Sequence, residues 1–375
     1  MAMFRERPCL GICRKSSTVD WSQLPYDLLE SIANQLHAIE DFLAFSAVCH
    51  LWRFVHLNKN WTPKTHIPWL VLNEYHNSDV PLRRIFSTCK FKEHKLLLPE
   101  AHGHQIWGSS HGWLVTVGQD LGLHLLNPIT RVCIDLPTHC TLGIQAYANV
   151  DWFSFIRKAT VFKIQDEFVT MAIYGHHYSL AFARQTDSAW TTVQVSTHVL
   201  FIDFVCFNSW ILALSVVGTL FLVEIDGPDP PRILDIASPP KDEKGWQQIY
   251  LVESSGNLLM VFRYENIYLP KTVNFKVYQF HFSTGQWTIL EDLGDRVLFV
   301  DDFYCTSVSA CDDFRGNGIY FTKDNLDFLM RIEQNWDGQY IGLYHMNDDT
   351  TEIFRLGDVS PSCYTCPIWL VPTLS

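Results

Sequence analysis

Adjacent acidic pairs are the most obvious residues that could carry out chemistry. They occur at Asp301-Asp302, Asp312-Asp313 and Asp348-Asp349, and paired carboxylates can form a glycosidase site or a calcium loop. Neighbouring residues on a strand point to opposite faces, however, and no EF-hand spacing follows any of these pairs. Because turns are the usual place for such residues, we interpret all three pairs as turn residues.

Cysteine and histidine form only partial metal-binding patterns. Cys363 and Cys366 form a Cys-x-x-Cys pair, whereas Cys9 and Cys13 lie at the other end of the chain. A zinc site needs four convergent ligands, usually from two such pairs at close spacing. The histidines between residues 102 and 111 lack the helical His-Glu-x-x-His arrangement. We therefore predict no metal and no cofactor.

Nucleotide and hydrolase motifs give no support for an enzyme. The chain has no phosphate loop ending in Gly-Lys-Ser/Thr and no Gly-x-Gly-x-x-Gly run. We also expect no nucleophile elbow of the Gly-x-Ser-x-Gly type. The interpretation is a non-catalytic protein.

Charge and cysteine usage narrow the possible partners and compartments. The 375 residues carry a formal net charge of −12, whereas nucleic-acid binders usually present a basic face, so we expect no nucleic-acid partner. Residues 1–20 have no continuous apolar core of the kind found in signal peptides, and we interpret them as a flexible tail. The 11 cysteines, an odd count, predict reduced thiols and a cytoplasmic or nuclear location.

An uncharged run lies between Asp203 and Glu224 and has the length of a membrane helix, about 20 residues. Asn208-Ser209 and Gly218-Thr219 interrupt it where turns would fall, and the segments between them are rich in Phe, Val, Ile and Leu. We therefore predict two or three buried strands joined by hairpins, and no membrane partner.

The sequence predicts different secondary structure in two parts of the chain. Residues 21–61 have helical periodicity, with proline at position 25 and acidic residues at 40 and 41 where two helices would begin. A second apolar stripe from Phe42 to Val55 fits either one bent helix or two short ones. The first stripe, at steps of three or four residues, is Leu24, Leu28, Leu29, Ile32 and Leu36.

Beyond a proline-containing linker at residues 62–68, the sequence pattern is typical of β-strands. From 69 to 375, short apolar runs are broken by Gly, Pro, Asn and Asp. A turn followed by a strand recurs at intervals close to the length of propeller blades, about 40 to 50 residues. We predict a large all-β domain, a six- or seven-bladed β-propeller, with a pair of β-sandwiches as the alternative. The markers of this repeat are Arg131, Trp190, Arg232, Trp287 and Glu352.

The helical segment resembles an F-box. Leu-Pro, an acidic residue, Leu-Leu, Ile and Leu occur in family order, followed by Asp-Phe, Val-Cys and Trp-Arg between residues 24 and 53. Phenylalanine at 42 replaces the usual leucine. The resemblance implies binding to a Skp-type linker and, through it, to a cullin scaffold. Our candidates for linker binding or F-box packing are Leu24, Pro25, Leu28, Leu29, Ile32, Leu36, Val48, Cys49 and Trp52.

The rest of the chain resembles the KIB-type β-propellers of plant F-box proteins. The matching segments include HGWLVTV at 111–117, LLNPITRVCIDLP at 125–137 and PIWLVP at 367–372. This resemblance implies the substrate-recognition adaptor of an SCF (Skp–cullin–F-box) ubiquitin ligase, with an unidentified protein as its target. The alternatives are a propeller binding protein that acts outside any ligase, and a propeller hydrolase using acidic residues in its central channel.

Aromatic residues and the chain end complete the predictions. We expect Trp113, Trp190, Trp287 and Trp369 in blade cores, because they lie in the family-like segments. Ring closure would use the chain's end, so the strand at 367–372 should pair with a strand just after the linker. Loop aromatics offer weaker candidates for target contact: Trp246, Tyr268 and Trp336.

Overall fold

The computed structural model describes residues 20–36, 39–57, 67–72, 80–88, 90–108, 111–142, 155–195, 199–226, 230–241, 243–265, 273–310, 315–322, 340–356 and 367–374. The chain divides into two compact units, Met1–Lys64 and Thr65–Ser375. All of the predicted tail except Asp20, and all of the predicted linker except Ile67 and Pro68, lie outside the described residues.

The first unit contains three α-helices in its described part: α1 (Tyr26–Gln35), α2 (Ile39–Ser46) and α3 (His50–Leu57). Helix α1 starts directly after Pro25, whose fixed φ suits a helix start. Glu40 and Asp41 lie in the first turn of α2, near the positive end of its dipole. The second apolar stripe therefore runs through two short helices.

The core of this unit is small and aromatic. Phe45 packs against Phe42 and against Trp52, with ring centroids 6.3 and 4.6 Å apart. The fully or nearly fully buried side chains are Leu29, Ala33, Ile39, Phe42, Phe45 and Val55.

The second unit is a six-bladed β-propeller. Its described strands are β1 (Trp69–Val71), β2 (Leu82–Ser87), β3 (Lys92–Leu97), β4 (Gln105–Trp107), β5 (Leu114–Val117), β6 (Leu123–Leu126), β7 (Cys133–Asp135), β8 (Ile156–Ile164), β9 (Glu167–Tyr174), β10 (Ser179–Arg184), β11 (Thr191–Thr192), β12 (Phe201–Phe207), β13 (Trp210–Ser215), β14 (Leu220–Glu224), β15 (Arg232–Ala237), β16 (Gln248–Ser254), β17 (Asn257–Glu265), β18 (Val273–His281), β19 (Gln286–Leu290), β20 (Arg296–Val300), β21 (Thr306–Ser309), β22 (Gly318–Thr322), β23 (Tyr340–His345), β24 (Thr350–Arg355) and β25 (Ile368–Leu370). In order across each sheet, blade 1 is β25-β1-β2-β3, blade 2 is β4–β7, blade 3 is β8–β11, blade 4 is β12–β15, blade 5 is β16–β19, and blade 6 is β21-β20-β22-β23-β24.

The repeat in the sequence corresponds to the last strand of five of the six blades. Its five markers lie in or within two residues of β7, β11, β15, β19 and β24, the final strands of blades 2 to 6. Six blades is one of the two predicted numbers, and the sandwich alternative is wrong. The spacing is uneven because blade lengths differ: blade 6 carries a fifth strand, with β20 and β22 paired in parallel.

Blade 1 closes the ring by pairing the two ends of the second unit. β25 pairs antiparallel with β1, placing Leu70 opposite Trp369. Both side chains are completely buried. This confirms the predicted closure, which leaves no unpaired edge between the first and last strands of the domain.

The uncharged run 203–224 forms three strands, as its turn residues predict. The β12–β13 turn falls at Asn208-Ser209, both with positive φ, and the β13–β14 turn contains Gly218. The strands belong to blade 4, and its two faces pack against blades 3 and 5, which explains the continuous apolar sequence. Among the described residues, no helix combines the length and the apolarity that crossing a membrane would take.

Candidate functional site

The F-box unit exposes apolar side chains on helices that also bury an apolar core. Leu28 and Ile32, one turn apart on α1, are 49% and 36% exposed, and Val48 between α2 and α3 is 52% exposed. The neighbouring pair Leu29 and Ala33, each one residue further along α1, is completely buried on an adjacent face. Helix α1 therefore has two apolar faces, only one of which the unit itself covers.

The predicted F-box residues separate into three groups. Pro25, Leu28, Ile32 and Val48 are exposed, and Leu29 belongs to the core. The remaining candidates are half-buried: Leu24, Leu36, Cys49 and Trp52. The exposed group is available to a partner, whereas Leu29 stabilises the unit from within.

Three further aromatic residues of the unit, Trp21, Tyr26 and Phe54, are exposed and were not among the predicted site residues. Tyr26 and Phe54 meet edge to face, with centroids 6.3 Å apart. The carbonyl oxygen of Trp21 accepts a hydrogen bond from Trp52 Nε1 at 3.1 Å, which holds the segment before α1 against α3. We call Trp21, Pro25, Tyr26, Leu28, Ile32, Val48 and Phe54 the exposed F-box surface.

A cavity of about 390 Å³ lies at one end of the propeller. In each antiparallel blade, the turn between the second and third strands lies at the same end as the connection into the next blade. Tyr178 and Val216 lie in such turns, and Leu200 and Trp246 lie on such connections. The cavity is therefore formed where blades 3, 4 and 5 meet, and Asp302 and Phe303 of blade 6 complete its lining. Trp246 is the predicted loop aromatic that lines it. The other two, Tyr268 and Trp336, lie outside the described residues.

A buried ion pair joins three blades at this cavity. Lys158 Nζ on β8 lies 2.5 Å from Asp203 Oδ1 on β12. Asp203 Oδ2 also accepts the backbone N–H of Leu251 on β16 at 2.7 Å. Burial by itself lowers the pKa of Lys158, but the charge and hydrogen bond of Asp203, together with the nearby Cys305 and Asp301, outweigh that effect and raise the pKa above its ordinary value. Lys158 therefore stays charged, and its charge is matched inside the ring.

Asp301 and Asp302 lie in the connection between β20 and β21, as predicted for an acidic pair, but Asp301 is buried there and not at an exposed turn tip. It directly follows β20 and is buried, with its carboxylate accepting backbone N–H groups from Phe303 and Tyr304 at 2.6 Å. Its second oxygen accepts the N–H of Trp369 at 2.8 Å. Burial raises the pKa of Asp301 to about 7, while these N–H groups and the Lys158 ammonium favour the ionised form. Three backbone donors on one carboxylate explain why the residue is internal.

The other two acidic pairs have different outcomes. Asp348-Asp349 form the β23–β24 turn, as predicted, and Asp312-Asp313 lie outside the described residues. The carboxylates of Asp203 and Asp301 are engaged by the backbone, and Asp203 by Lys158 as well. A general acid or base must reach the substrate's proton, so these groups do not support the hydrolase alternative.

The cysteine and histidine patterns do not assemble into a metal site in the described part of the chain, where no group of three His, Cys, Asp or Glu residues could hold an ion. Cys9, Cys13, Cys363 and Cys366 all lie outside that part. His104 stacks on the ring of His124, with centroids 6.4 Å apart.

One hydrolase-like motif does occur, contrary to the expectation from sequence. Residues 108–112 read Gly-Ser-Ser-His-Gly and have the Gly-x-Ser-x-Gly spacing. A nucleophile elbow requires a strand that turns into a helix. This run instead lies between strands β4 and β5 of one sheet, and its two serines are outside the described residues. The match therefore lacks the structural context of an elbow.

Three of the four tryptophans predicted for blade cores are buried, namely Trp113, Trp190 and Trp369. Trp190 Nε1 donates to the carbonyl of Pro137 at 2.8 Å, which links blade 3 to blade 2. Trp287 is only partly buried and packs against the cluster between blades 4 and 5.

Comparison with known protein families gives a match for each of the two units. The F-box domain model matches residues 21–62, and the KIB1-4 β-propeller model matches residues 85–348. F-box protein SKIP23 of Arabidopsis thaliana is 27% identical over 345 residues, covering 78% of this chain and 81% of its own length. F-box protein KIB4 of the same plant is 22% identical over 294 residues, covering 71% and 72%. Neither domain model indicates an enzyme family. The chain belongs to the KIB1-4 β-propeller family and carries an F-box at its N-terminal end.

Proposed function

We propose that this protein is the substrate-recognition adaptor of an SCF ubiquitin ligase. The F-box would bind a Skp-type linker through the exposed F-box surface, and the linker would connect it to a cullin scaffold. The propeller would hold a target protein near the ubiquitin-transfer centre on other subunits, which raises the effective concentration of the target there. The adaptor would act in the cytoplasm, the nucleus or both.

The exposed apolar face of α1 is the observation that carries this proposal. Leu28 and Ile32 project from a helix whose other face already supplies the core. Burying a large apolar side chain stabilises a complex by about 1.5 to 3 kcal/mol, so several such residues can anchor a partner. Several large apolar side chains left exposed on one small unit fit a protein-binding surface.

Co-purification tests the proposal directly. The full chain, expressed with a Skp-type linker and a cullin, should elute as one complex and bring the cullin with it. Affinity capture from cells with the proteasome blocked should then enrich ubiquitinated target in a manner that depends on the F-box. A chain that folds but captures no Skp-type linker would instead favour the binding protein that acts outside a ligase.

A further inference from the structure

The cavity at the junction of blades 3, 4 and 5 has apolar walls and an accessible edge. Phe201, Ile249 and Tyr250 are buried within it. Leu200 and Val216 are 38% and 40% exposed. A ligand that enters would therefore contact apolar side chains both at the edge and deeper inside.

The charges that line the cavity balance. Arg157 and Lys158 are matched in number by Asp203 and Asp302. Lys158 is already paired with Asp203 at 2.5 Å. The Arg157 guanidinium lies over the ring of Tyr178, 4.8 Å from its centroid. A charged group inserted here would lose its hydration without meeting an excess of opposite charge, whereas an uncharged group would not incur that cost.

We propose that this cavity is the target-binding pocket, and that it accepts one large uncharged side chain, aromatic or aliphatic, from an extended segment of the target protein. This inference rests on the proposed function as a substrate adaptor. The volume of the cavity is at the small end of the range of ligand sites, about 300 to 1,000 Å³, which suits one bulky side chain better than a folded element. Hot spots of protein interfaces are commonly such anchors in well-packed pockets.

A library of random linear peptides displayed on phage, selected on the immobilised full chain, provides the probe. The selected peptides should share one bulky uncharged residue. In fluorescence polarisation with synthetic peptides, replacing that residue by Ala should weaken binding about tenfold or more. Replacement by Glu or Lys should abolish measurable binding.

Two matched valine variants locate the binding. Val216→Glu, at the cavity edge, should abolish peptide binding. Val132→Glu should leave it unchanged, because Val132 lies between β6 and β7 at the opposite end of a blade and is similarly exposed, at 49%. Both variants change exposed residues, and equal melting temperatures would show that both fold.

Three results would overturn the pocket: no selected peptide, peptides that share a charged residue instead, or binding that survives Val216→Glu. Both variants should still bind the Skp-type linker, because the exposed F-box surface is untouched. If the wild-type chain does not bind the Skp-type linker, that result counts against the proposed function. Peptide selection reports on the pocket independently of that result.

Discussion

The carboxylate of Asp301 accepts a hydrogen bond from the backbone N–H of Trp369, with 2.8 Å between Oδ2 and N. This bond joins blade 6 to the chain-end strand of blade 1. Asp203 has the same relationship with Leu251, joining blade 4 to blade 5 at 2.7 Å. In both cases, a buried aspartate on one blade binds the backbone of the first strand of a neighbouring sheet. Two buried carboxylates therefore stabilise the ring through contacts between blades.

Replacing Asp301 by Ala should strongly destabilise the propeller. The change leaves the buried N–H groups of Phe303, Tyr304 and Trp369 without this acceptor, and one buried unsatisfied group costs about 1 to 3 kcal/mol. Urea denaturation should show the loss as a lower midpoint. Asp295→Ala, at an exposed position just before β20, is the control and should have little effect. Equal midpoints for the two variants would refute the role of Asp301 in closure.

Lys158 and Asp203 should show strong energetic coupling. Lys158→Met leaves the Asp203 carboxylate buried without its cation, and breaking a buried pair in this way costs about 3 to 5 kcal/mol. Asp203→Asn in the same background should cost less than it does in the wild type. A double-mutant cycle of unfolding free energies measures the difference. Purely additive values would show that the pair contributes no specific interaction.

Removal of residues 360–375 should cause aggregation, because it deletes β25 and exposes an edge of β1. Light scattering of the purified variant would detect this. Removing only residues 374–375, beyond the strand, should leave a monomer with an unchanged melting temperature. A longer deletion that also stays monomeric and equally stable would contradict closure by the chain end.

The stability of the propeller should fall as the solution becomes acidic, in part through His111. Its Nε2 accepts the backbone N–H of Lys163 at 3.3 Å, and its carbonyl accepts the Thr373 hydroxyl at 2.7 Å. Burial, assisted by the Lys163 charge, lowers the pKa of His111 below its ordinary value of 6.5. Because the folded-state pKa is lowered, neutral His111 contributes its full stability to the fold above about pH 6.5. That contribution is lost as the pH falls through the folded-state pKa. Melting temperatures at pH 7.5 and 5.5 should therefore differ less in His111→Gln than in the wild type, and an equal difference would rule out this role.

Local sequence patterns predict much of the fold. The turn at Asn208-Ser209 follows from residues that tolerate positive φ, and the closing strand follows from an apolar run at the chain end. The last strands of blades 2 to 6 show the sequence repeat because turn residues precede them. These features depend on near neighbours in the chain, so the sequence alone reveals them.

The candidate sites were less predictable because they depend on which face a residue occupies and on distant contacts. Leu28 and Leu29 are adjacent members of one apolar stripe, yet one is exposed and the other is in the core. Lys158 and Asp203 are separated by 44 intervening residues, and neither has a local pattern that indicates the pair. Asp301 lies in the β20–β21 connection, as its acidic pair predicts, but nothing in the local sequence indicates its burial or its bond to Trp369 from the far end of the chain.

The most direct test of the adaptor account is the affinity of the full chain for a Skp-type linker, measured by isothermal titration. The account predicts one-to-one binding by the wild type and by Val132→Glu. The double variant Leu28→Glu/Val48→Glu should bind more weakly by about a hundredfold or more, since truncating a single interface anchor already costs about 2 kcal/mol or more. Binding of equal strength by all three proteins would show that the exposed F-box surface is not the linker site, and no binding by the folded wild type would contradict the adaptor function itself.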